Sequence, residues 1–192
     1  MFNGFQRGKE RERSSFSATP VAVETGVRLI QYNCQPMPAA NIQALDERIM
    51  PLAAEQIWSV LADAKGFPEW SPPSVKTRLL EAAEGLVGTR FELQPRGGRA
   101  FQCRVEAVEA PRLMRMSYPE GFITGWGEWR LEPLDAGRTR VSYKIDVSAN
   151  GWLAAILGRV LSLPKLHSKA MQDILVALEH ETARRCNQTS GG

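Results

Sequence analysis

The stretch FQCRVEAVEAPRLMRMSY, residues 101–118, decides the fold, because apolar and polar side chains alternate on either side of a central turn. The apolar positions are Phe101, Cys103, Val105, Ala107, Met114, Met116 and Tyr118. Successive side chains of a strand point to opposite faces, so the pattern predicts two strands that share one apolar face. Ala110-Pro111 separates the two halves, and so short a connection favours an antiparallel hairpin.

The same alternation continues through residues 74–148, with turn signals at 84–85, 97–98, 120–121 and 135–137. The other positions predicted to face inward are Val75, Thr77, Leu79, Thr89, Phe91, Leu93, Trp129, Leu131, Val141, Tyr143, Ile145 and Val147. Charged and polar residues fill the positions between them. One-sided polarity of this kind predicts an antiparallel meander that is wet on one face and covered on the other.

The segments before the meander predict a strand and a helix. Residues 42–50 read as a strand, although the charged run 46–48 leaves its alternation imperfect. After Pro51, apolar residues recur at helical spacing from Ala54 to Leu61, and we expect this helix to end near residues 64–66. The stretch 66–73 has three prolines and two aromatic residues, which favours a short helical turn or packed loop.

The C-terminal segment supplies the cover of the sheet. Met171, Ile174, Leu175 and Leu178 repeat at helical spacing, which predicts a helix over about residues 162–185. Residues 152–163 form a second apolar stretch, and Pro164 predicts a break or kink between the two. The predicted order is therefore strand, helix, six strands, helix.

Four short motifs in this order resemble one superfamily. They are Ala54–Asp63, Phe67–Pro72, Val87–Thr89, and Leu131–Pro133 followed by Gly137–Val141. They are similar to the START-like, Bet v 1-like helix-grip (SRPBCC) superfamily, in its polyketide cyclase/dehydrase and lipid transport branch, over about residues 42–185. The resemblance implies an α+β helix-grip fold: a curved antiparallel sheet of about seven strands wrapped around a long C-terminal helix, with an apolar cavity between them.

The domain prediction follows from these limits. Residues 1–41 read as a disordered leader, or as the product of an upstream start codon with Met37 the more natural beginning. Residues 42–186 form the START-like helix-grip domain, and residues 187–192 form a disordered tail. The leader and the apolar stretch 152–163 are the main departures from the superfamily pattern.

Composition narrows the classes of function. In 192 residues, 24 basic side chains oppose 21 acidic ones, and this net charge of +3 disfavours nucleic acid as a partner. Cysteines at 34, 103 and 186 make neither an even disulfide set nor a CxxC pair, and no export signal opens the chain, so we expect a cytoplasmic protein. The longest apolar run is too short to span a membrane.

The predicted ligand-binding residues combine the inward aromatic positions with the terminal helix. They are Trp70, Phe91, Phe101, Met116, Tyr118, Trp129, Tyr143, Leu163, His167 and Met171. His167 lies on the apolar face of the terminal helix, and with Tyr143 it is the best candidate for acid–base chemistry. The competing interpretation is that these side chains only close a dry core.

Other chemistry finds little support. Two histidines thirteen residues apart, with no HExxH or paired cysteines, predict no metal site, and no cofactor is expected. Cys103 reads as a small hydrophobic residue. Gly125-Trp126-Gly127 lacks the third glycine of a phosphate-binding motif, so we interpret it as a bend or bulge that leaves the orientation of Trp126 open.

Three functions remain. The leading hypothesis is binding, or transport, of a hydrophobic small molecule such as a lipid, isoprenoid, quinone or polyketide. A cyclase/dehydrase-type enzyme is the first alternative, and a non-catalytic interaction module that assists a chaperone or respiration is the second. The stretch 152–163 is a candidate for transient membrane contact, for a dimer contact or for ordinary packing.

Overall fold

Seven antiparallel strands form one sheet in the part of the chain that the structure describes, residues 40–119, 121, 123–149 and 163–189. The structure is a computed structural model. The strands are β1 (Ala40–Met50), β2 (Val75–Glu81), β3 (Arg90–Pro95), β4 (Phe101–Glu109), β5 (Leu113–Tyr118), β6 (Ile123–Asp135) and β7 (Arg138–Ala149). The helices are α1 (Ala54–Leu61), α2 (Phe67–Trp70) and α3 (Leu163–Thr189). The predicted α+β helix-grip architecture, with its long C-terminal helix, is confirmed.

The spatial order of the strands is β1-β7-β6-β5-β4-β3-β2. Strands β2 to β7 follow one another as the predicted meander, because short turns join neighbouring strands. β1 adds to the far side of β7, with an unbroken register from Ala40 opposite Ala149 to Met50 opposite Thr139. The first described strand thus closes onto the last.

The inward face follows the predicted alternation closely. Val105, Met114, Leu131, Val141 and Ile145 are all buried. Ala107 was predicted to face inward, and that prediction is wrong because it is exposed. The register between β4 and β5 shifts between Val105 and Ala107, so the parity changes there and Val108 packs against the core instead.

The first helices are shorter than the periodicity suggests. α1 ends at Leu61, before the predicted limit, because the Asp63 carboxylate accepts a hydrogen bond from the Gly66 backbone N–H and turns the chain. The predicted short helical turn is α2, with Pro68 in its first turn, where a missing N–H costs no hydrogen bond.

The last helix, α3, covers the sheet with its buried residues Met171, Ile174, Leu175 and Leu178. Pro164 lies in its first turn, a position that proline tolerates. The helix continues to Thr189, so residues 187–189 of the predicted tail are helical, just as residues 40–41 of the predicted leader belong to β1. The rest of both segments, and the apolar stretch 152–162, lie outside the described residues.

Ion pairs join the C-terminal half of α3 to the turn after α1. Arg185 donates to Asp63 and to Glu181, and Arg184 donates to Glu181 through two nitrogens. The hydrogen bond from Arg184, joined by that from Arg185, lowers the pKa of Glu181 to about 2. Burial alone would raise the pKa of Asp63. The hydrogen bonds from Gly66 and Arg185 outweigh burial and hold the pKa of Asp63 below the ordinary value.

Replacing Glu181 by glutamine is expected to cost about 1 kcal/mol at pH 7, or about 2–4 °C in Tm. A carboxyl with a depressed pKa contributes stability that is complete above its ordinary value of 4.5 and is lost as the pH falls through about 2. The difference between E181Q and the native protein should therefore shrink between pH 5 and pH 2.5 in thermal unfolding. The exposed Glu84 provides the control E84Q, which should leave Tm at pH 7 unchanged. A constant E181Q deficit at every pH would contradict the prediction.

Candidate functional site

A row of side chains crosses the inner face of the sheet at β1, β7 and β6. Asp46 pairs with Tyr143 in the β1–β7 register, and Tyr143 pairs with Trp129 in the β7–β6 register. All three are buried, and the rings of Trp129 and Tyr143 lie 4.7 Å apart between centroids. Directly opposed residues share one face of a sheet, so the register itself places a carboxyl beside a phenol in an otherwise apolar layer.

A pair of tyrosine hydroxyls lies next to this row. Tyr118 on β5 reaches across β6, and its hydroxyl hydrogen-bonds that of Tyr143 on β7. The reach is open because residue 127 on the strand between them is glycine: a Cβ there would stand 2.1 Å from the Tyr143 hydroxyl oxygen. One hydroxyl donates to the other, which leaves the second hydrogen for another acceptor.

Burial sets the protonation of these groups. It raises the pKa of both Tyr118 and Tyr143 well above the ordinary phenol value, so both hydroxyls are neutral at physiological pH. Burial also raises the pKa of Cys103 to about 12, which leaves a thiol without nucleophilic character. Cys103 thus has the inert, buried environment expected of a small hydrophobic residue.

His167 on α3 faces Asp46 across the inner layer. Its Nε2 lies 3.9 Å from Asp46 Oδ2, and neither of these two buried atoms has a hydrogen-bond partner among the described residues. Burial lowers the pKa of His167, although the Asp46 carboxyl opposes the shift, so the imidazole is neutral at pH 7. A neutral histidine beside a carboxyl is able to accept, donate or relay a proton.

The structure brings five of the predicted ligand-binding residues into one group. Phe101 meets Tyr118 with ring centroids 5.6 Å apart, and Tyr143 lies 6.2 Å from the His167 ring. Through Tyr143 this group includes Trp129. We call Asp46, Phe101, Tyr118, Trp129, Tyr143 and His167 the inner polar cluster.

The other predicted residues lie elsewhere in the layer. Met116 and Met171 belong to the same buried core. Trp70 and Phe91 both contact Phe67, with centroid distances of 4.8 and 5.3 Å, and form a separate aromatic group under α2. Leu163 is the first residue of α3, and its side chain lies outside the described residues.

Sequence reasoning missed Asp46 and the role of Gly127. The signal for Asp46 was present, because an aspartate interrupts β1 at a position where strict alternation requires an apolar residue. Gly127 was interpreted as a site of bending, whereas its contacts show that it makes room for the tyrosine pair. Trp126 lies on the opposite, outer face, with the Lys144 ammonium 5.5 Å from its ring.

A surface groove of about 550 Å³ runs along the flank of α3. It lies between that helix and the loop after α2, and its lining includes Trp70, Pro72, Ala177 and His180. A smaller hollow of about 260 Å³ adjoins Phe101 and Gly121 at the outer end of the inner polar cluster. Ligand sites commonly have volumes of about 300–1,000 Å³, so the groove has a typical size and the smaller hollow lies just below that range.

Two negative findings concern only the described residues. Among them, no group of three or more histidine, cysteine, aspartate or glutamate side chains is arranged to hold a metal ion. No helix within the described ranges is both long and apolar enough to cross a bilayer.

The sheet, its covering helix and a few polar groups set in an apolar inner face define a helix-grip protein. The sequence profile of the family described as polyketide cyclase/dehydrase and lipid transport matches residues 42–181. The chain belongs to that family, and the predicted START-like resemblance is confirmed.

Comparisons with individual proteins agree on the fold. The crystal structure of the Zhui aromatase/cyclase from Streptomyces sp. R1128 is similar with a TM-score of 0.63 and 22% identity, over 79% of this chain and 99% of that one. A START superfamily protein from Mycobacterium smegmatis has a TM-score of 0.59 at 16% identity, over 74% and 97% of the two chains. The ribosome association toxin RatA of Escherichia coli K12 is 22% identical over 58% of this chain and 72% of its own length.

Proposed function

We propose that the protein binds a hydrophobic small molecule between the sheet and α3, with the polar end of the molecule at the inner polar cluster. The observation that carries this proposal is that Asp46 Oδ2 and His167 Nε2, two of the four buried side-chain atoms without a partner among the described residues, face each other across the inner layer. Each unmet hydrogen bond costs about 1–3 kcal/mol in a closed core. Such a cost is typical of a site that a ligand completes.

The surroundings suit an apolar ligand. Phe101, Met116, Trp129 and Met171 offer aromatic and thioether surface, and contact with it is worth about 25 cal/mol per Å2 of apolar area before ordering costs. The family description, which joins polyketide chemistry with lipid transport, supports a ligand of this class. The cytoplasmic location predicted from the cysteine pattern stays a prediction.

Replacing Phe101 by glutamate is expected to weaken binding at least tenfold, because it puts a charge beside Tyr118 where the apolar part of the ligand would lie. Native mass spectrometry of the protein purified from its own host identifies the co-purified ligand, and titration followed by intrinsic tryptophan fluorescence then gives Kd. Leu45→Glu is the matched control, since Leu45 is exposed. A folded F101E protein with unchanged Kd would contradict the proposed site.

A cyclase/dehydrase-type reaction is the second candidate, favoured by the 3.9 Å approach of His167 to Asp46. Neutral His167 would take a proton from an activated carbon of the substrate, and the tyrosine pair would donate its free hydrogen to the oxygen where charge develops. Turnover of polyketide substrates that His167→Ala abolishes would support catalysis. Empty protein that co-sediments with ribosomes would favour the interaction module instead.

A further inference from the structure

The separation between Asp46 Oδ2 and His167 Nε2 matches the span of one bridging atom. At 3.9 Å the two atoms are too far apart for a direct hydrogen bond, which needs about 2.7–3.2 Å. An oxygen placed to one side at about 2.8 Å from both atoms would complete them. Both atoms are buried, so a group that bridges them would itself be enclosed.

The chemistry of the two atoms defines the bridging group. A carboxylate only accepts hydrogen bonds, whereas a neutral imidazole has one N–H. The negative carboxylate favours the tautomer whose N–H faces it, at Nε2. The bridging atom must then accept from His167 and donate to Asp46, which the hydroxyl of an alcohol or phenol does, as does water, and a carbonyl or carboxylate oxygen does not.

Nearby positive charges do not neutralise the Asp46 carboxylate. Arg48 follows two residues after Asp46 on the same face of β1, but its guanidinium pairs with Glu179 of α3. The Tyr118–Tyr143 pair is uncharged. A ligand carboxylate would therefore bring a second negative charge next to a buried carboxyl that no lysine or arginine of the described residues pairs with.

We propose that Asp46 and His167 form a hydroxyl-recognition site that selects neutral apolar ligands bearing an alcohol or phenol group over carboxylates of equal chain length. This inference rests on the proposed function, because it names the ligand class of the same site. The hydroxyl donates to Asp46 Oδ2 and accepts from His167 Nε2, while the apolar body lies against Phe101 and Trp129.

The test compares 1-decanol with decanoate at pH 7.5, by calorimetric or fluorescence titration of the full chain. The native protein is expected to bind decanol at least tenfold more tightly. Asp46→Asn keeps the size of the side chain but removes its charge, so the preference should fall below threefold. Asp146→Asn, on the outer face, should leave the preference unchanged.

His167→Phe is a second variant with a different expected result. It should lower the affinity for 1-decanol, while the affinity for decanoate stays as low as in the native protein. Equal binding of the two probes by the native protein, or a preference that survives in folded D46N, overturns the inference and leaves the proposed function standing. Binding of neither probe overturns it as well. The proposed function falls only if the protein from its own host also carries no hydrophobic molecule in native mass spectrometry.

Discussion

Replacing Gly127 by alanine is expected to lower the free energy of unfolding by about 1–3 kcal/mol, a large fraction of the stability of a domain this size. The added Cβ would lie 2.1 Å from the Tyr143 hydroxyl and 3.3 Å from that of Tyr118. Because Tyr143 is only 2% exposed and its ring packs against Trp129, a shift of the ring must displace its neighbours. Urea denaturation monitored by tryptophan fluorescence measures the loss.

Gly137→Ala is the matched control for this prediction, since a Cβ at Gly137 meets nothing within 4 Å. Adding Tyr143→Phe to G127A removes the closest atom and should recover part of the loss, so the two changes are not additive. A G127A protein as stable as the native one would show that the hydroxyl pair shifts freely, and would weaken its role as a fixed element of the site.

Asp46→Val is expected to act in the opposite direction and raise the free energy of unfolding by about 1–3 kcal/mol. Asp46 is only 5% exposed, and its Oδ2 has no hydrogen-bond partner among the described residues. Valine suits a strand and adds apolar contact at the same place. Thermal unfolding of the ligand-free protein measures the gain.

Asp46→Val should also abolish binding of 1-decanol, so the free energy of unfolding would rise while the affinity for the alcohol is lost. This trade-off is typical of residues kept for function. Asp146→Val on the outer face is the control, and it should give no gain because Asp146 accepts a hydrogen bond from Gln43. A destabilised D46V protein would mean that Asp46 has a structural partner.

The fold was predictable because local patterns and global topology agree. Alternation along 101–118 identified the hairpin of β4 and β5 and gave the inner face that the structure shows. The exception is Ala107, since a shift of register between β4 and β5 leaves no mark in hydropathy. The end of α1 was missed for a similar reason, because the Asp63 turn that stops it is a hydrogen bond rather than a composition signal.

The candidate site was only partly predictable. His167, Tyr118 and Tyr143 stood out as polar groups on apolar faces, and the structure does place them together. Long-range strand pairing decides which residue lies opposite Tyr143. That residue is Asp46 of β1, which precedes Tyr143 by 97 positions in the chain. No local pattern carries that information.

The pairing of β1 with β7 has a consequence for how the chain is made. β1 leaves the ribosome early, yet its partners, β7 and α3, lie about 90–140 residues later in the sequence. At about 5–20 residues per second, residues 40–50 wait on the order of 5–30 s before anything can cover them. During that interval Ile42 and Met50, which the folded protein covers, are open to solvent. They add to Leu45 and Ile49 on the other face, which stay exposed in the folded protein. A nascent chain stalled before residue 138 is therefore expected to bind holdase chaperones through residues 40–50. It should release them once β7 and α3 emerge from the ribosome.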